Sequence, residues 1–382
     1  MRTATIFLVL LFLCSSGNAE WKIRCDSLEL GTGQTPYVAS GPTGKVHLVY
    51  TWEKTMFYLR FNTSGIIEIK ESFDLSEEKL FKPALAIDEN DVPHVIFQKD
   101  HTRYGRGPYY TNRIGGEWKQ LALLDNIEDK QEPVDMERMN NLRMWVRKNI
   151  AYIGYMGGHD KGATLRIINL DSEPVVSHRN YNTHMTNNPI PGDNGTWYLS
   201  ARRKEDNLHQ IWEYDDKLLP ILPKQAGNCG SNDSRTSSSN ACYPWTDGHE
   251  AFFCGTMVID NIDENTSLWI NTFSRVKNSE PCLLGPAFYG FEVNTHICYS
   301  DDTTAYISLT TREDNRLYLC RLKNDTISEP VLVATDLNSR IRWSPKIAAL
   351  RKDGVIISRE TIDNKIIFVV YGNRFFRLSQ NP

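Results

Sequence analysis

Past its first 20 residues, this chain of 382 residues has no apolar run near the ~20 residues that a membrane-spanning helix needs. It has no stretch of clear helical periodicity, no CxxC pair and no Cys/His spacing that suits structural zinc. It also lacks an excess of positive charge: 43 Lys and Arg against 47 Asp and Glu leave a net charge of -4. A nucleic-acid partner selects a strongly basic surface, so that class is excluded as well. A hydrophobic content of 40% with 11% aromatics remains, enough for an ordinary core and too much for a disordered chain.

The one apolar run opens the chain. Met1-Arg2-Thr3, the run Ala4 to Leu13 and the small-residue stretch Ser15-Ser16-Gly17-Asn18-Ala19 form the three parts of a secretory signal. The expectation is a signal peptide over 1–19 and a single mature domain over 20–382, secreted and extracellular. Loss of Arg2 with the leader takes the net charge from -4 to -5.

Cys25, Cys229, Cys242, Cys254, Cys282, Cys298 and Cys320 follow the leader. In an oxidising compartment they allow up to three disulfide bonds and one leftover thiol. Cys229 and Cys242 bracket the Ser/Asn-rich insert 230–240 and are the favoured pair; the other connectivities stay open. N-x-S/T sequons begin at Asn62, Asn194, Asn232, Asn265 and Asn324, which a secreted glycoprotein of eukaryotic origin would carry.

A unit of about fifty residues recurs. It opens on Pro, continues through alternating apolar residues to a polar turn with Asp or Gly, and ends in a β-rich run. It reads Pro36-Tyr-Val-Ala-Ser-Gly-Pro-Thr-Gly44-Lys-Val-His47, then Pro83-Ala-Leu-Ala-Ile-Asp88-Glu-Asn-Asp-Val-Pro-His94, then Pro345-Lys-Ile-Ala-Ala-Leu-Arg-Lys-Asp353-Gly354-Val-Ile356. Weaker units begin at Pro133, Pro189 and Thr295, and a degenerate one lies near His249. Each reads as four short strands, and four antiparallel strands repeated radially make a propeller. The predicted fold is therefore all-β: a seven-bladed β-propeller with blades starting near 36, 83, 133, 189, 249, 295 and 345. Because Glu20-Trp21-Lys22 resembles Glu117-Trp118-Lys119, the N-terminal segment is expected to supply the outer strand of the last blade and so close the ring. A two-domain β-sandwich is the competing architecture.

In such a blade the start of the first strand and the end of the second share one edge. That rim collects His101, Arg103, Tyr104, His159, Asp160, His184, Asn187, Asn188, Arg202, Arg203, Trp245, Asp247, His249, Arg275, Arg312, Arg342, Trp343, Arg359 and Glu360. Arg202, Arg275, Arg312 and Arg359 are each expected to follow a second strand, and guanidinium groups suit carboxylate or sulfate ligands. The plainer alternative is that these arginines are solvated charges where strands leave the core. The four rim histidines offer general-base chemistry without ligand spacing for a metal, and Trp245 and Trp343 offer stacking faces for sugars. His47 and His94 sit at equivalent places inside second strands and are read as structural, bonded to neighbouring backbone.

The repeats resemble the sialidase-like, or BNR-repeat, β-propeller superfamily over residues 36 to 378. The complete Asp-box is missing, its nearest match being Asp193-Asn-Gly195-Thr196-Trp197, and so is an Arg-Ile-Pro motif. The resemblance implies a carbohydrate ligand. A propeller lyase needs a His or Tyr to take the proton beside a uronic carboxylate and an Arg to neutralise that carboxylate; rim placement alone nominates His101, His159 and Tyr104 for the first role and Arg202 for the second.

The leading expectation is a secreted carbohydrate-binding or extracellular-matrix glycoprotein that recognises an anionic glycan through Arg203, His184, Trp245, His249, Arg275, Arg312, Arg342, Trp343 and Arg359. It is expected to use no cofactor. The alternatives are a polysaccharide lyase or glycosidase acting on acidic glycans, and a protein-binding propeller.

Overall fold

The computed structural model describes residues 24–74, 80–99, 109–119, 122–123, 140–147, 149–156, 163–169, 177–181, 190–191, 197–202, 209–214, 220–224, 237–242, 250–260, 267–277, 280–289, 292–299, 304–310, 315–324, 326–338, 346–350, 354–372 and 378. Among these there is no helix.

β1 (Arg24–Thr32) precedes the first sheet, which holds β2 (Gln34–Ser40), β3 (Val46–Trp52), β4 (Thr55–Phe61) and β5 (Ile67–Asp74). The second holds β6 (Leu80–Ile87), β7 (Pro93–Lys99), β8 (Tyr109–Ile114), β9 (Glu117–Trp118) and β10 (Ala122–Leu123). The third comprises β11 (Asn140–Arg147), β12 (Ile150–Met156), β13 (Ala163–Asn169) and β14 (Ser177–Tyr181). β15 (Ile190–Pro191), β16 (Trp197–Arg202), β17 (His209–Tyr214) and β18 (Pro220–Lys224) form the fourth. The fifth follows with β19 (Ser237–Cys242), β20 (Glu250–Asp260), β21 (Ser267–Lys277) and β22 (Glu280–Tyr289). In the sixth are β23 (Glu292–Tyr299), β24 (Thr304–Thr310), β25 (Leu317–Lys323), β26 (Thr326–Ile327) and β27 (Val331–Ala334). β28 (Lys346–Leu350), β29 (Gly354–Glu360) and β30 (Lys365–Tyr371) form the seventh, with β1 as its outer member.

All pairings are antiparallel; most join chain neighbours, β8 also pairs with β10 and β25 with β27, and β1 pairs with β30, Ser27 opposite Val369 and Leu28 opposite Phe368. The outer strand of the seventh sheet thus comes from the N-terminal end of the described chain. The fifth sheet departs from the repeat as read in sequence, because its first strand is β19, ahead of His249, and the segment after His249 forms its second strand. The Ser-rich stretch Ser237-Ser-Ser-Asn-Ala-Cys242 has little apolar content, so it carries almost no strand signal of its own.

Burial explains the patterning within each sheet. Second strands are sealed on both faces, so β3 (VHLVYTW), β24 (TAYISLT) and β29 (GVIISRE) read as near-continuous apolar runs. β5 (IEIKESFD) alternates half-buried with exposed residues, as an outer strand facing water on one side does. The cores lie between successive sheets. On β3, Leu48 and Tyr50 pack with Ile356 and Phe368 of the seventh sheet, whereas Val49 packs with Ala84 and Val95 of the second. On β29, Ile356 turns toward the first sheet and Ile357 toward Tyr306 and Leu319 of the sixth. Phe61 and Phe368 stack at 4.6 Å across the junction of the first and seventh sheets.

The repeat's polar turn also has a physical account. Gly41, Asn62, Asp88 and Thr361 each open a turn in which residue i donates to the carbonyl of i+4 and residue i+3 donates back to residue i. The residue at i+3 is left-handed, as Gly44 (φ 83), Gly65 (φ 88), Asp91 (φ 65) and Asn364 (φ 57). Gly, Asp and Asn are the residues that tolerate this conformation. The Pro that opens a unit follows a left-handed residue beside a register shift, Thr35 (φ 48) before Pro36 and Lys82 (φ 45) before Pro83. A bulge is where a strand accepts a residue with no N–H to donate.

Candidate functional site

The edge where second strands end was the expected site, and the described residues there are Arg202, the last residue of β16, Arg359 and Glu360 at the end of β29, and their neighbours. Arg359 and Glu360 point to opposite sides of their sheet. Arg359 turns toward the sixth sheet, where Nη1 donates to Asp336. Its side chain is 12% exposed, and the guanidinium ties β29 to the segment that follows β27.

Glu360 turns the other way and is fully buried. Its Oε2 accepts the backbone N–H of Thr35 at 2.9 Å and its Oε1 accepts Asn338 Nδ2 at 2.8 Å. Burial outweighs these hydrogen bonds and holds the carboxyl above its ordinary value of 4.5. The Thr35 hydroxyl beside it is buried without a hydrogen-bond partner among the described residues. A raised carboxyl suits acid–base chemistry, but this one is sealed between strands and instead joins the first and seventh sheets.

Two further polar clusters repeat. His47 Nδ1 meets Tyr58 Oη at 2.8 Å, and His94 Nδ1 meets Tyr110 Oη at 2.7 Å. Each Tyr lies on the third strand, two residues before the register partner of its His: Arg60 opposite His47, Asn112 opposite His94. The far nitrogen of His47 lies 3.7 Å from Asp91 of the second sheet, and that of His94 lies 3.4 Å from Asp88. These histidines are structural as expected, but the partners are tyrosine hydroxyls and carboxylates instead of backbone. Burial pushes His47 below the usual imidazole range despite Asp91. Burial pushes Tyr110 up, and Tyr58 likewise.

At the outer side of the first two sheets, Arg113 grips Glu71 through Nε at 3.1 Å and Nη2 at 2.7 Å, and Trp118 Nε1 donates to the same carboxylate at 2.9 Å. Burial pushes the Glu71 carboxyl up, but the Arg113 and Trp118 hydrogen bonds prevail and hold it below its ordinary value.

The expected arginine series is corrected at one position. Arg275 lies on β21, the third strand of its sheet, opposite Phe252 near the start of β20. Within its sheet it therefore sits at the end opposite to the one where the second strand finishes. The segment containing Phe273-Ser-Arg275 resembles a second strand only when the unit is counted from His249, and β19 shifts that count by one strand.

His101, Arg103, Tyr104, His159, Asp160, His184, Asn187, Asn188, Arg203, Trp245, Asp247, His249, Arg312, Arg342 and Trp343 lie outside the described residues, as do Cys229, Asn194, Asn232 and Asn265. Cys242 sits on β19 opposite Ala251. Cys298 is partly buried and Cys320 buried. Cys298 lies opposite Tyr306 and Cys320 opposite Ile307, adjacent residues on the strand between them, so the two thiols fall on opposite faces of the sixth sheet.

Sequence reasoning missed the coupling of Glu360 to Thr35 and Asn338. A signal for it was present: fifteen residues after Pro36, Pro83 and Pro345 stand Thr51, Gln98 and Glu360, polar side chains at the end of otherwise apolar strands.

No family model and no curated protein matches the chain. Solved structures do match in fold. A polysaccharide lyase described as a PL25 ulvan lyase superimposes with a TM-score of 0.55 at 12% identity, covering 91% of this chain and 96% of that one. A fungal alcohol oxidase of the AA5 family, in complex with copper, gives a TM-score of 0.56 at 9% identity over 92% of this chain and 76% of that one. The polysaccharide lyase Uly1 gives 0.50 at 9% identity over 92% of this chain and 100% of that one. At these identities the likeness is one of fold, an all-β assembly of four-stranded antiparallel sheets.

Proposed function

We propose that the seven sheets are the blades of one closed propeller, with β1 completing the last blade, and that this is a secreted protein binding an anionic glycan at the rim where second strands end. The supporting observation is the repeated placement of arginine. Arg202 ends β16, Arg359 is next to last in β29, and Arg312 follows the end of β24 by two residues. Arginine presents a planar fork that pairs bidentately with carboxylate or sulfate groups, and an alternating series of such forks suits a polymer with repeated anionic groups. Arg359 is already committed to Asp336, so Arg202 and Arg312 carry the greater part of this reading.

A second reading, a lyase acting on acidic polysaccharides, is favoured by the fold likeness to two polysaccharide lyases. Such a fold hosts many activities, so the chemistry rests on the side chains. In this reading His101, His159 or Tyr104 removes the proton beside a uronic carboxylate and Arg202 stabilises the charge that develops.

A glycan array that includes acidic polysaccharides, probed with mature protein and followed by mass analysis of the eluate, separates the readings. Retention without fragments, weakened by Arg202→Ala, supports binding. Unsaturated fragments establish the lyase. No retention on any acidic glycan overturns both and directs attention to a protein partner.

A further inference from the structure

Asn62 opens the turn between β4 and β5, and Asn324 opens the turn between β25 and β26. Each is the first residue past the third strand of its sheet, and each heads a sequon: Asn62-Thr63-Ser64 and Asn324-Asp325-Thr326. Of the two ends of the Asn62 amide, the oxygen is used by the backbone. Oδ1 accepts the N–H of Ser64 at 2.9 Å and that of Ile66 at 3.0 Å, which leaves Nδ2 with no hydrogen bond among the described residues. Thr63 and Ser64 beside it are exposed.

Asn324 is itself exposed and left-handed (φ 48), in a two-residue link whose flanking residues Lys323 and Thr326 are register partners. Tight links of this kind hold their central side chains away from the sheet. Both sequons thus combine exposed residues, a turn that already tolerates Asn, and an amide nitrogen without a hydrogen bond among the described residues.

We propose that Asn62 and Asn324 both carry N-linked glycans on Nδ2, and that these glycans lie on the edge opposite to the one where second strands end. In the transfer, Nδ2 attacks the anomeric carbon of an oligosaccharide held on a lipid pyrophosphate. The C–N bond forms as the bond from that carbon to the pyrophosphate oxygen breaks, the lipid pyrophosphate departs with the electron pair, and the amide gives up one proton to a base of the transferring enzyme. The edge follows from chain direction: the turn from third to fourth strand shares its end of the sheet with the turn from first to second strand. Sugar there leaves the arginine-bearing rim uncovered.

This inference rests on the secretory reading of the N-terminal segment, and the test separates the two. The full chain is produced in a eukaryotic secretory host, and the peptides holding Asn62 and Asn324 are mapped by mass spectrometry before and after peptide N-glycosidase treatment in heavy-oxygen water. Both peptides are expected to gain the isotopically labelled Asp that marks a former glycan site. Asn62→Asp keeps the acceptor that caps the turn and is expected to lose one glycan without loss of folding; Thr326→Ala is expected to remove the other. Protein recovered from the medium with both peptides unmodified overturns the glycan proposal alone. Protein kept inside the cell with its leader intact overturns the secretory reading and the glycans with it.

Discussion

The carboxylate of Glu360 accepts the backbone amide of Thr35 across 325 positions of sequence, at 2.9 Å. Burial holds that carboxyl above its ordinary value, so the folded chain binds the proton more tightly than the unfolded chain does. Its contribution to stability is complete below the ordinary carboxyl value of 4.5 and falls as pH rises through the raised one. Glu360→Gln cannot titrate, so its stability is expected to lose this downward slope, whatever constant offset the amide introduces. Urea unfolding of both proteins over a pH series measures the difference; parallel curves would refute the assignment.

The clamp of Arg113 and Trp118 on Glu71 has the opposite sign. Glu71 is held below its ordinary value, so its contribution is present above the unfolded carboxyl value and disappears as pH falls through the folded one. The pair is partly exposed, with side-chain exposures of 14% and 33%, so solvent screening limits its worth. Glu71→Gln is expected to cost about 1 kcal/mol near neutral pH and nothing in strong acid. Chemical denaturation at the two pH values checks it.

Tyr58→Phe removes the hydroxyl that partners His47 Nδ1 and leaves a buried ring nitrogen unpaired, an expected loss of about 1–3 kcal/mol. His47 itself is held below 6.5 by burial, so the stability linked to it is present above that value and is lost as pH falls toward the folded one. The expected consequence is a steeper acid loss in the parent than in His47→Gln. Thermal melts between neutral and mildly acidic pH report it.

Cys298 and Cys320 face away from each other on one sheet, and burial pushes the Cys298 thiol upward, away from the reactive thiolate. Alkylation of the native protein is therefore expected to label neither until denaturant is added. Peptide mapping without reductant that found a Cys298–Cys320 bridge would contradict the register of β23, β24 and β25.

The four-stranded unit was legible because polar turns at fixed offsets interrupt apolar strands. Pro36 and Pro83 fall inside the first strands of their sheets, beside register shifts, and Asp88 caps its own turn through Asn90 and Val92. The pairing of the N-terminal strand with β30 was legible too, from the likeness of Trp21 to Trp118. The fifth sheet was not, because β19 is built of small polar residues whose strand character comes only from pairing with β20. That one missed strand displaced Arg275 from the site. The partners of His47 escaped for another reason: sequence periodicity assigns a face, but Asp91 reaches His47 from the neighbouring sheet, where Gly41 makes room because any Cβ there would collide with the Asp91 carboxylate.

The bond between β1 and β30 sets an order of events during synthesis. The strand that leaves the ribosome early must wait for the strand that leaves among the last, and until then the apolar side chains of Leu28 and Leu30 have no lasting cover. Assembly is therefore a whole-chain event: a nascent chain halted before residue 365 has every other sheet available to it yet cannot fasten its own beginning.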